Sequence, residues 1–340
     1  MLEIISFFLI FASAFIVTLI TLPFFIHRMQ LRKIVGKDIN KMGKPEVAEM
    51  GGTMVLMGFV FSVMIALFIH SYIGFFRGLD LVTLLAATFT IVLVGLLGLI
   101  DDLIGWKKGI RQYQHALIPI FAALPLMVLP QTIGSTGVEA PFFGFINLGI
   151  FYSILLVPLA VTGASNAANM LAGLNGLEAG MGILSALAMM IVAIFQGEVE
   201  VIIIMLSLIG ALLAFLFFNW NPAKVFPGDS LTLMIGAGIA SASIIGNMEK
   251  IGLFLFSLYF VELFLKAKSK MQAESFGIIQ EDGTLKSPEK VRSVTHLVMK
   301  MGKFTEKQVV IIILGIQVLV VLGTLLFFLI NYMAGQAYGI

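Results

Sequence analysis

Residues 166–180 read NAANMLAGLNGLEAG, and this stretch predicts both the class of fold and the place of the chemistry. It begins inside an apolar segment of the length that crosses a bilayer, yet it contains three asparagines, one glutamate and three glycines. Polar groups at the end of a lipid-embedded helix are costly without a partner, so these amides indicate a bound ligand. The glycines let backbone N–H groups approach that ligand closely. The alternative is a polar loop between two membrane helices.

The composition of the whole chain agrees with a membrane setting. Its 340 residues are 59% hydrophobic and only 12% charged, with a mean hydropathy of +1.06. Soluble domains have roughly twice that share of charged residues. We therefore predict an all-α polytopic membrane protein that forms a single transmembrane domain over residues 1–340. The net charge of +2 gives no support for a nucleic-acid partner, and the absence of cysteine excludes disulfides and Cys-type zinc sites.

Hydropathy divides the chain into ten predicted membrane spans, on the criterion of about 20 apolar residues for each crossing. These spans are residues 3–26, 51–73, 80–100, 113–130, 148–168, 180–196, 200–219, 230–247, 251–267 and 308–331. The first run is long enough to span and has no basic region before it, so we interpret it as a helix rather than a signal peptide.

The cations give the orientation of these spans. If the N-terminus lies outside, the inner segments are residues 27–50, 101–112, 169–179, 220–229 and 268–307. Those segments and the helix ends beside them hold all of the 21 Lys and Arg residues except Arg77 and Lys250. Because cytoplasmic loops are enriched in Lys and Arg, we predict that both termini lie outside and that the chemistry lies on the cytoplasmic face.

The longest inner segment, residues 268–307, is expected to have some structure of its own. Glu281-Asp282-Gly283 is a turn signal between two short apolar pieces, which predicts a small hairpin. Residues 291–301 are amphipathic, which predicts a short helix on the membrane surface.

Acidic and amide side chains gather at the predicted inner ends of three spans. They are Asp101 and Asp102 after the third span, Asn166, Asn169, Asn175 and Glu178 around the end of the fifth, and Asp229 at the start of the eighth. Each could simply cap a helix, but the whole group at one membrane face indicates a site. Carboxylate and amide oxygens without His or Cys favour a hard cation, and Mg²⁺ is the usual one beside phosphates.

Basic residues near these acids could complete a phosphate site. Lys37, Lys41 and Lys44 follow the first span, and Lys107 and Lys108 follow the Asp pair. The enrichment of cations in cytoplasmic loops already explains most of them. Arg111 is the strongest functional candidate, because it begins a span and is expected to face the polar site.

The order of these motifs resembles the polyprenyl-phosphate N-acetylhexosamine-1-phosphate transferases over nearly the whole chain. The motifs are Asp101-Asp102, the run NMLAGLNGLEAG from Asn169 to Gly180, and Phe226-Pro227-Gly228-Asp229. AGLNGLEAG is similar to the eukaryotic dolichyl-phosphate GlcNAc-1-phosphate transferase and its archaeal relatives. The bacterial phospho-MurNAc-pentapeptide translocase usually has aspartates at the positions of Ala172 and Asn175. Lys37-Asp38-Ile39-Asn40-Lys41, followed by Pro45-Glu46, also looks eukaryotic or archaeal, and we prefer an archaeal version.

Two departures from the family concern recognition of the sugar. The eukaryotic enzyme has an Arg-His-Arg cluster early in its last cytoplasmic loop, and the comparable residues 270–274 contain none. The bacterial members have a histidine-rich motif in that loop, where this chain offers only His296. His296 is either a contact of the sugar or phosphate, or an interfacial histidine.

The resemblance implies Mg²⁺-dependent transfer of GlcNAc-1-phosphate from UDP-GlcNAc to a polyprenyl (dolichyl) phosphate, with release of UMP. It implies a multi-pass plasma-membrane enzyme that performs the first membrane step of glycan-lipid assembly, such as protein glycosylation. Asn169 and Asp229 would be the metal ligands, and Asp101, Asp102 and Arg111 the catalytic groups. The expected substrate-binding residues are Asp38, Asn40, Lys41, Asn166, Gly173, Asn175, Glu178, Phe226 and His296.

Several alternatives stay open at this point. Asn175 offers a donor and an acceptor to a uracil edge and Phe226 could stack on the ring, although either could be ordinary packing. The donor could be another UDP-N-acetylhexosamine, such as UDP-MurNAc-pentapeptide or UDP-GalNAc. A covalent aspartyl-phosphate route competes with single in-line displacement. A nucleotide-sugar transporter would place its polar residues at mid-membrane, where Glu262 is the only acid. The oligomeric state is also open, with a homodimer as one option.

Overall fold

Helices form the framework of the protein, because in lipid each backbone N–H and C=O must be satisfied within its own segment. The structure is a computed structural model that describes residues 2–108, 117, 119–134, 137–140 and 144–338. Its mostly helical architecture confirms the predicted fold class of a polytopic helical membrane protein.

The elements fall in the following order. The helices are α1 (Leu2–Leu31), α2 (Gly52–Phe68), α3 (Leu81–Lys108), α4 (Pro119–Ala122), α5 (Leu124–Met127), α6 (Pro130–Gly134), α7 (Val157–Met170), α8 (Leu177–Gln196), α9 (Val199–Asn219), α10 (Asp229–Ile245), α11 (Glu249–Leu255), α12 (Ser257–Ala267), α13 (Val294–Met301) and α14 (Glu306–Tyr338). A π-helical turn at Ile69–Ile73 extends α2, and another at Tyr152–Leu156 leads into α7. The strands are β1 (Val35–Lys37), β2 (Glu46–Ala48), β3 (Gly137–Ala140), β4 (Gly144–Asn147), β5 (Ile278–Ile279) and β6 (Leu285–Lys286).

Seven helical segments in the described part of the chain are long and apolar enough to cross a membrane. They are Glu3–Leu31, Gly52–Ile73, Leu81–Ile104, Tyr152–Met170, Leu177–Gln196, Val199–Asn219 and Glu306–Ala334. Each corresponds to one of the ten predicted spans.

The other three predicted spans differ from simple long helices. The span at 230–247 is the apolar helix α10, which has 17 residues. The span at 251–267 is divided into α11 and α12 at Phe256. The span at 113–130 lies partly outside the described residues. Its described part includes the short helices α4 and α5, which are separated by Ala123, two residues before Pro125. Proline removes a backbone donor and favours such interruptions. The total of ten spans therefore stays a prediction.

Helix α10 lies at the centre of the bundle. Every residue from Ser230 to Ile245 is buried, and the helix packs most extensively on α3 and α7. Around this centre, α1 packs on α2 and α9, and α8 packs on α9 and α14. Small residues allow close helix contacts in lipid. Because α10 begins with Asp229 and α3 and α7 end near it, this packing brings the predicted polar helix ends together.

Three two-stranded antiparallel hairpins occur in the connections that the structure describes. In the first loop, between α1 and α2, β1 pairs with β2, with Val35 opposite Ala48. Ala48 also accepts a hydrogen bond from the backbone N–H of Phe226 at 2.7 Å, which ties this hairpin to the segment before α10. In the last loop, between α12 and α14, β5 and β6 form a hairpin around residues 280–284, and α13 follows it.

Candidate active site

A cavity lies where the ends of α7 and α9 meet the starts of α8 and α10. Its volume is about 210 Å³. Eight of the predicted site residues line it: Asp38, Asn40, Asn169, Gly173, Asn175, Glu178, Phe226 and Asp229. These residues come from the first loop and from the two motifs around positions 170 and 228, so the fold assembles pieces that are nearly 200 positions apart in the chain.

The charges on this cavity are unequal. Asp38, Glu178 and Asp229 line it with carboxylates, whereas Lys37 is the only cation among the described residues that line it. An excess of carboxylates repels an anionic ligand unless a cation lies between them. The cavity is therefore suited to a metal ion together with an anionic ligand.

Asn169 and Asp229, the predicted metal ligands, both contact Thr232, Asn169 through its side chain and Asp229 through its backbone carbonyl. The Thr232 hydroxyl donates to Asn169 Oδ1 at 3.0 Å, and it also lies 3.3 Å from the carbonyl oxygen of Asp229. No group of three or more His, Cys, Asp or Glu side chains suited to a metal occurs among the described residues. A pair of oxygen ligands matches Mg²⁺, which commonly takes one or two carboxylates and leaves other positions to water and phosphate. The residues present therefore fit the predicted ion.

Asp102 caps the start of α10 from a different helix. Its Oδ1 accepts from the backbone N–H of Asp229 at 2.8 Å, and its Oδ2 accepts from the N–H of Ser230 at 3.2 Å. Carboxylates at a helix N-terminus satisfy donors that have no partner within the helix. Gly228 has φ +71, and a Cβ there would lie 2.5 Å from Asp102 Oδ2. The contact therefore requires glycine, and it gives Asp102 a positioning role beside Asp229.

The other two predicted catalytic residues have different outcomes. Asp101 is buried at the same end of α3 and does not belong to the cavity lining. Arg111 lies outside the described residues, so its role stays a prediction.

Two first-loop residues connect the cavity to more distant segments. Asp38 Oδ2 accepts from Asn175 Nδ2 at 2.8 Å. Asn40 Nδ2 donates to the carbonyl oxygen of Gly173 at 3.3 Å, and Asn40 Oδ1 accepts from the N–H of Gly277 in the last loop at 3.3 Å. Asn40 is 3% exposed, so its amide is a buried bridge between three loops.

Glu178 and Asn166, two further polar residues of the stretch 166–180, have different positions relative to the cavity. Glu178 lines the cavity, and its Oε1 accepts from the N–H of Gly173 at 2.6 Å, which closes the loop between α7 and α8. Asn166 instead donates from Nδ2 to the Thr162 carbonyl oxygen of its own helix at 2.8 Å, and it does not line the cavity.

His296 holds the last loop rather than lining the cavity. Its Nε2 lies 2.9 Å from the carbonyl oxygen of Phe276, and its Nδ1 accepts from the N–H of Arg292 at 3.3 Å. These partners require the neutral ring with its proton on Nε2. Burial lowers the pKa of His296, which favours that neutral form. A direct substrate contact by His296 stays a prediction, and both ring nitrogens already have protein partners.

Three of the described cavity residues lie outside the motifs quoted from the sequence: Phe276, Thr232 and Asn219. Phe276 comes from the last loop, and a Cβ at Gly173 (φ +122) would lie 2.9 Å from its ring. Asn219, at the end of α9, is 0% exposed and accepts from the N–H of Gly176 at 3.0 Å. An asparagine that ends an otherwise apolar helix was the available signal for Asn219, whereas no local pattern marks Phe276.

Glu262, the one acid expected well inside a span, anchors the last loop. Its Oε2 accepts from the Ser293 hydroxyl at 3.0 Å and from the N–H of Val294 at 2.7 Å. Its Oε1 accepts from the Ser275 hydroxyl at 3.3 Å and lies 3.4 Å from the Lys266 ammonium. Glu262 therefore connects α12 with both ends of the segment that includes Phe276.

Replacing Glu262 by alanine is expected to release this loop. The side chain is 0% exposed, and removing one partner of a buried ion pair typically costs about 3–5 kcal/mol. We expect a lower thermal midpoint and faster tryptic cleavage within residues 268–293, measured on the purified protein. The exposed Glu281→Ala in the same loop is the matched control and should behave as wild type. Equal protection of Glu262→Ala and wild type would contradict this role.

The chain is similar to known proteins over most of its length. Residues 84–247, which extend from α3 past the end of α10, match the sequence pattern of glycosyl transferase family 4. A relative from Sulfolobus acidocaldarius, named UDP-N-acetylglucosamine–dolichyl-phosphate N-acetylglucosaminephosphotransferase, is 39% identical over 307 residues, covering 90% of this chain and 91% of the relative. A relative of the same name from Saccharolobus solfataricus is 40% identical over 309 residues, covering 89% and 91%.

A bacterial relative is more distant. The phospho-N-acetylmuramoyl-pentapeptide-transferase of Streptococcus mutans is 32% identical over 259 residues, covering 73% of this chain and 75% of the relative. The higher identity to the two archaeal proteins agrees with the sequence-based preference for the archaeal version. All three relatives are named as transferases, which favours an enzyme over the transporter alternative. The chain belongs to glycosyl transferase family 4 and is a membrane-embedded sugar-phosphate transferase.

Proposed function

We propose that the protein transfers GlcNAc-1-phosphate from UDP-GlcNAc to a polyprenyl phosphate of the dolichyl type and releases UMP. The names of the two archaeal relatives support this substrate pair. The observation that carries the proposal is that Asn169 and Asp229 line one cavity, together with the carboxylates of Asp38 and Glu178. Such a cavity suits a diphosphate that brings a divalent cation with it.

The proposed reaction is a single in-line displacement. An oxygen of the lipid phosphate forms a bond to the β-phosphorus of UDP-GlcNAc. The bond from that phosphorus to the oxygen bridging the α-phosphorus breaks, and UMP leaves with the electron pair. The second pKa of a phosphate monoester is about 6, so the attacking group is largely a dianion at neutral pH and has little need of a strong base.

In this proposal the protein supplies position and electrostatics. Asn169 and Asp229 hold Mg²⁺, and Asp102 fixes the start of α10 so that the Asp229 backbone stays in place. When bound, Mg²⁺ supplies neutralisation of the charge on the phosphates. Asn175 presents its amide to the uracil edge, and Phe226 offers its ring as a stacking surface. Both residues contact the first loop: Asn175 Nδ2 donates to Asp38, and the backbone N–H of Phe226 donates to Ala48.

The test is an assay of detergent-solubilised protein with radiolabelled UDP-GlcNAc, a polyprenyl phosphate and MgCl₂. We expect labelled lipid product and UMP in equal amounts, loss of both with EDTA, and recovery with added Mg²⁺. A donor panel with UDP-GalNAc and UDP-MurNAc-pentapeptide distinguishes the related transferases. Exchange of labelled UMP into UDP-GlcNAc without any lipid acceptor would favour a covalent enzyme intermediate, and absence of product with every donor would overturn the proposal.

The proposed setting is the plasma membrane, with ten spans, both termini outside and the cavity facing the cytoplasm. The support is the distribution of Lys and Arg, of which only Arg77 and Lys250 fall on the predicted outer side. A cytoplasmic cavity gives the nucleotide sugar direct access, while the lipid substrate reaches the same site from the bilayer.

The absence of cysteine makes this orientation directly measurable. Single cysteines at the exposed positions Asp282 in the last loop and Arg77 between α2 and α3 are suitable reporters. A membrane-impermeant maleimide added to intact cells should label Arg77→Cys, and Asp282→Cys should react only after permeabilisation. The reverse pattern would invert the proposed topology. Labelling of both cysteines from outside would contradict the predicted number of spans between them.

A further inference from the structure

Glu306 is a buried acid that no sequence motif marked. It is the first residue of α14 and is 3% exposed. Its Oε1 accepts from the backbone N–H of Asn175 at 2.8 Å, and its Oε2 accepts from Asn221 Nδ2 at 3.0 Å. The ammonium of Lys41 forms an ion pair with the same Oε2. The carboxylate thus holds three segments from distant parts of the chain.

These partners satisfy a charge that would otherwise be costly to bury. An ion without partners in a protein interior costs several kcal/mol, and charge-assisted hydrogen bonds are the strong ones. The helix N-terminus adds a further favourable term for an acid at this position. Helix stability alone, however, requires neither the Asn175 backbone nor the Lys41 side chain as partner.

The contacts of Glu306 close a ring behind the cavity. The backbone N–H of Asn175 donates to Glu306, and its side-chain Nδ2 donates to Asp38 Oδ2 at 2.8 Å. Lys41 contacts Glu306 and lies 3.8 Å from the same oxygen of Asp38. Asp38 and Asn175 line the cavity, whereas Glu306 and Lys41 lie behind them. The conformation of the Asn175 side chain in the cavity therefore depends on a group outside it.

We propose that Glu306 is the positioning residue for the nucleotide end of the cavity, fixing the Asn175 backbone and the Lys41 ammonium so that Asn175 and Asp38 present one preformed surface to the uridine. This inference rests on the proposed function, since it assigns the uridine to the Asn175 end. Glu306 acts only through its neighbours and makes no contact with the reacting phosphates.

The test is Glu306→Gln, which keeps the shape and removes the charge. We expect the Kd for UMP, measured by calorimetry with MgCl₂ and without lipid, to rise about tenfold, the loss expected from one charge-assisted hydrogen bond. The KM for UDP-GlcNAc should rise by a similar factor with kcat within about twofold, because the lost contact acts equally on substrate and transition state. Glu306→Asp, which keeps the charge, should recover part of the affinity.

Glu200→Gln is the matched control. Glu200 is also buried, lies in the first turn of the spanning helix α9 and accepts a backbone N–H, from Asp80, away from the cavity. This variant should lower thermal stability about as much as Glu306→Gln and leave the UMP affinity at the wild-type value. A loss of UMP affinity in both variants would show that Glu306 only stabilises the fold, and it would contradict a specific positioning role.

The remaining outcomes also decide the inference. Wild-type affinity for UMP in a folded Glu306→Gln would overturn it, as would a fall in kcat with unchanged KM. If Glu306→Gln does not fold, Lys41→Met tests the same ring from its half-buried side and should weaken UMP binding, and unchanged binding in that variant would overturn the inference. Failure of the wild-type protein to bind UMP would instead overturn the proposed function.

Discussion

Asp229→Asn is expected to lower kcat/KM about 10³-fold while the protein still inserts and folds. Asp229 lies at the first position of α10 and lines the same cavity as Asn169. The substitution keeps the size of the side chain and the backbone N–H that donates to Asp102. It removes the negative charge that is proposed to hold Mg²⁺. Asn169→Ala, which removes the partner ligand, should have an effect of the same order. The measurement is steady-state kinetics over a range of MgCl₂ concentrations.

The matched control for this prediction is Asp80→Asn. Asp80 immediately precedes the spanning helix α3, at the opposite end from Asp101. Its side chain accepts from the N–H of Val82 at 2.9 Å and from the Thr83 hydroxyl at 2.6 Å. This control should retain wild-type kinetics. Full activity in folded Asp229→Asn or Asn169→Ala would remove the proposed metal site.

Asp102→Ala is expected to lower kcat/KM about 10²-fold, whereas Asp102→Asn should retain activity within about tenfold of wild type. Alanine leaves the backbone N–H groups of Asp229 and Ser230 without their partner, and each buried donor left unsatisfied costs about 1–3 kcal/mol. Asparagine retains one acceptor oxygen and therefore one of the two bonds. The measurement is kcat/KM together with the thermal midpoint, which should fall more for alanine.

The comparison of these two variants distinguishes positioning from proton transfer. A general base at Asp102 would be lost equally in both, because neither alanine nor asparagine accepts a proton at neutral pH. Equal losses of activity, with a thermal midpoint near wild type for Asp102→Asn, would therefore return Asp102 to the role of a base. A graded loss that follows the thermal midpoint supports the cap on α10.

The sequence by itself determined the class of the protein and most of the cavity. Hydropathy predicts helices because lipid offers the backbone no other partners, and seven of the predicted spans are single apolar helices in the structure. The motif from Asn169 to Gly180 gave the family, and eight residues predicted from the motifs line one cavity. The class of fold and the family can be read in this way because hydropathy and family motifs are properties of short segments.

Only the tertiary structure decided how those side chains are used. Asp102 is 127 positions from the N–H of Asp229 that it accepts, and Glu306 is 131 positions from Asn175. These partners are determined by how α10 and α14 pack against the other helices, and the spacing of residues within a short segment does not predict that packing. Phe276 lines the cavity for the same reason, because Glu262 and His296 hold its loop from other helices. The motifs therefore contain the side chains proposed to bind the ligand, and the position of each side chain is set by hydrogen bonds between helices that meet only in the folded chain.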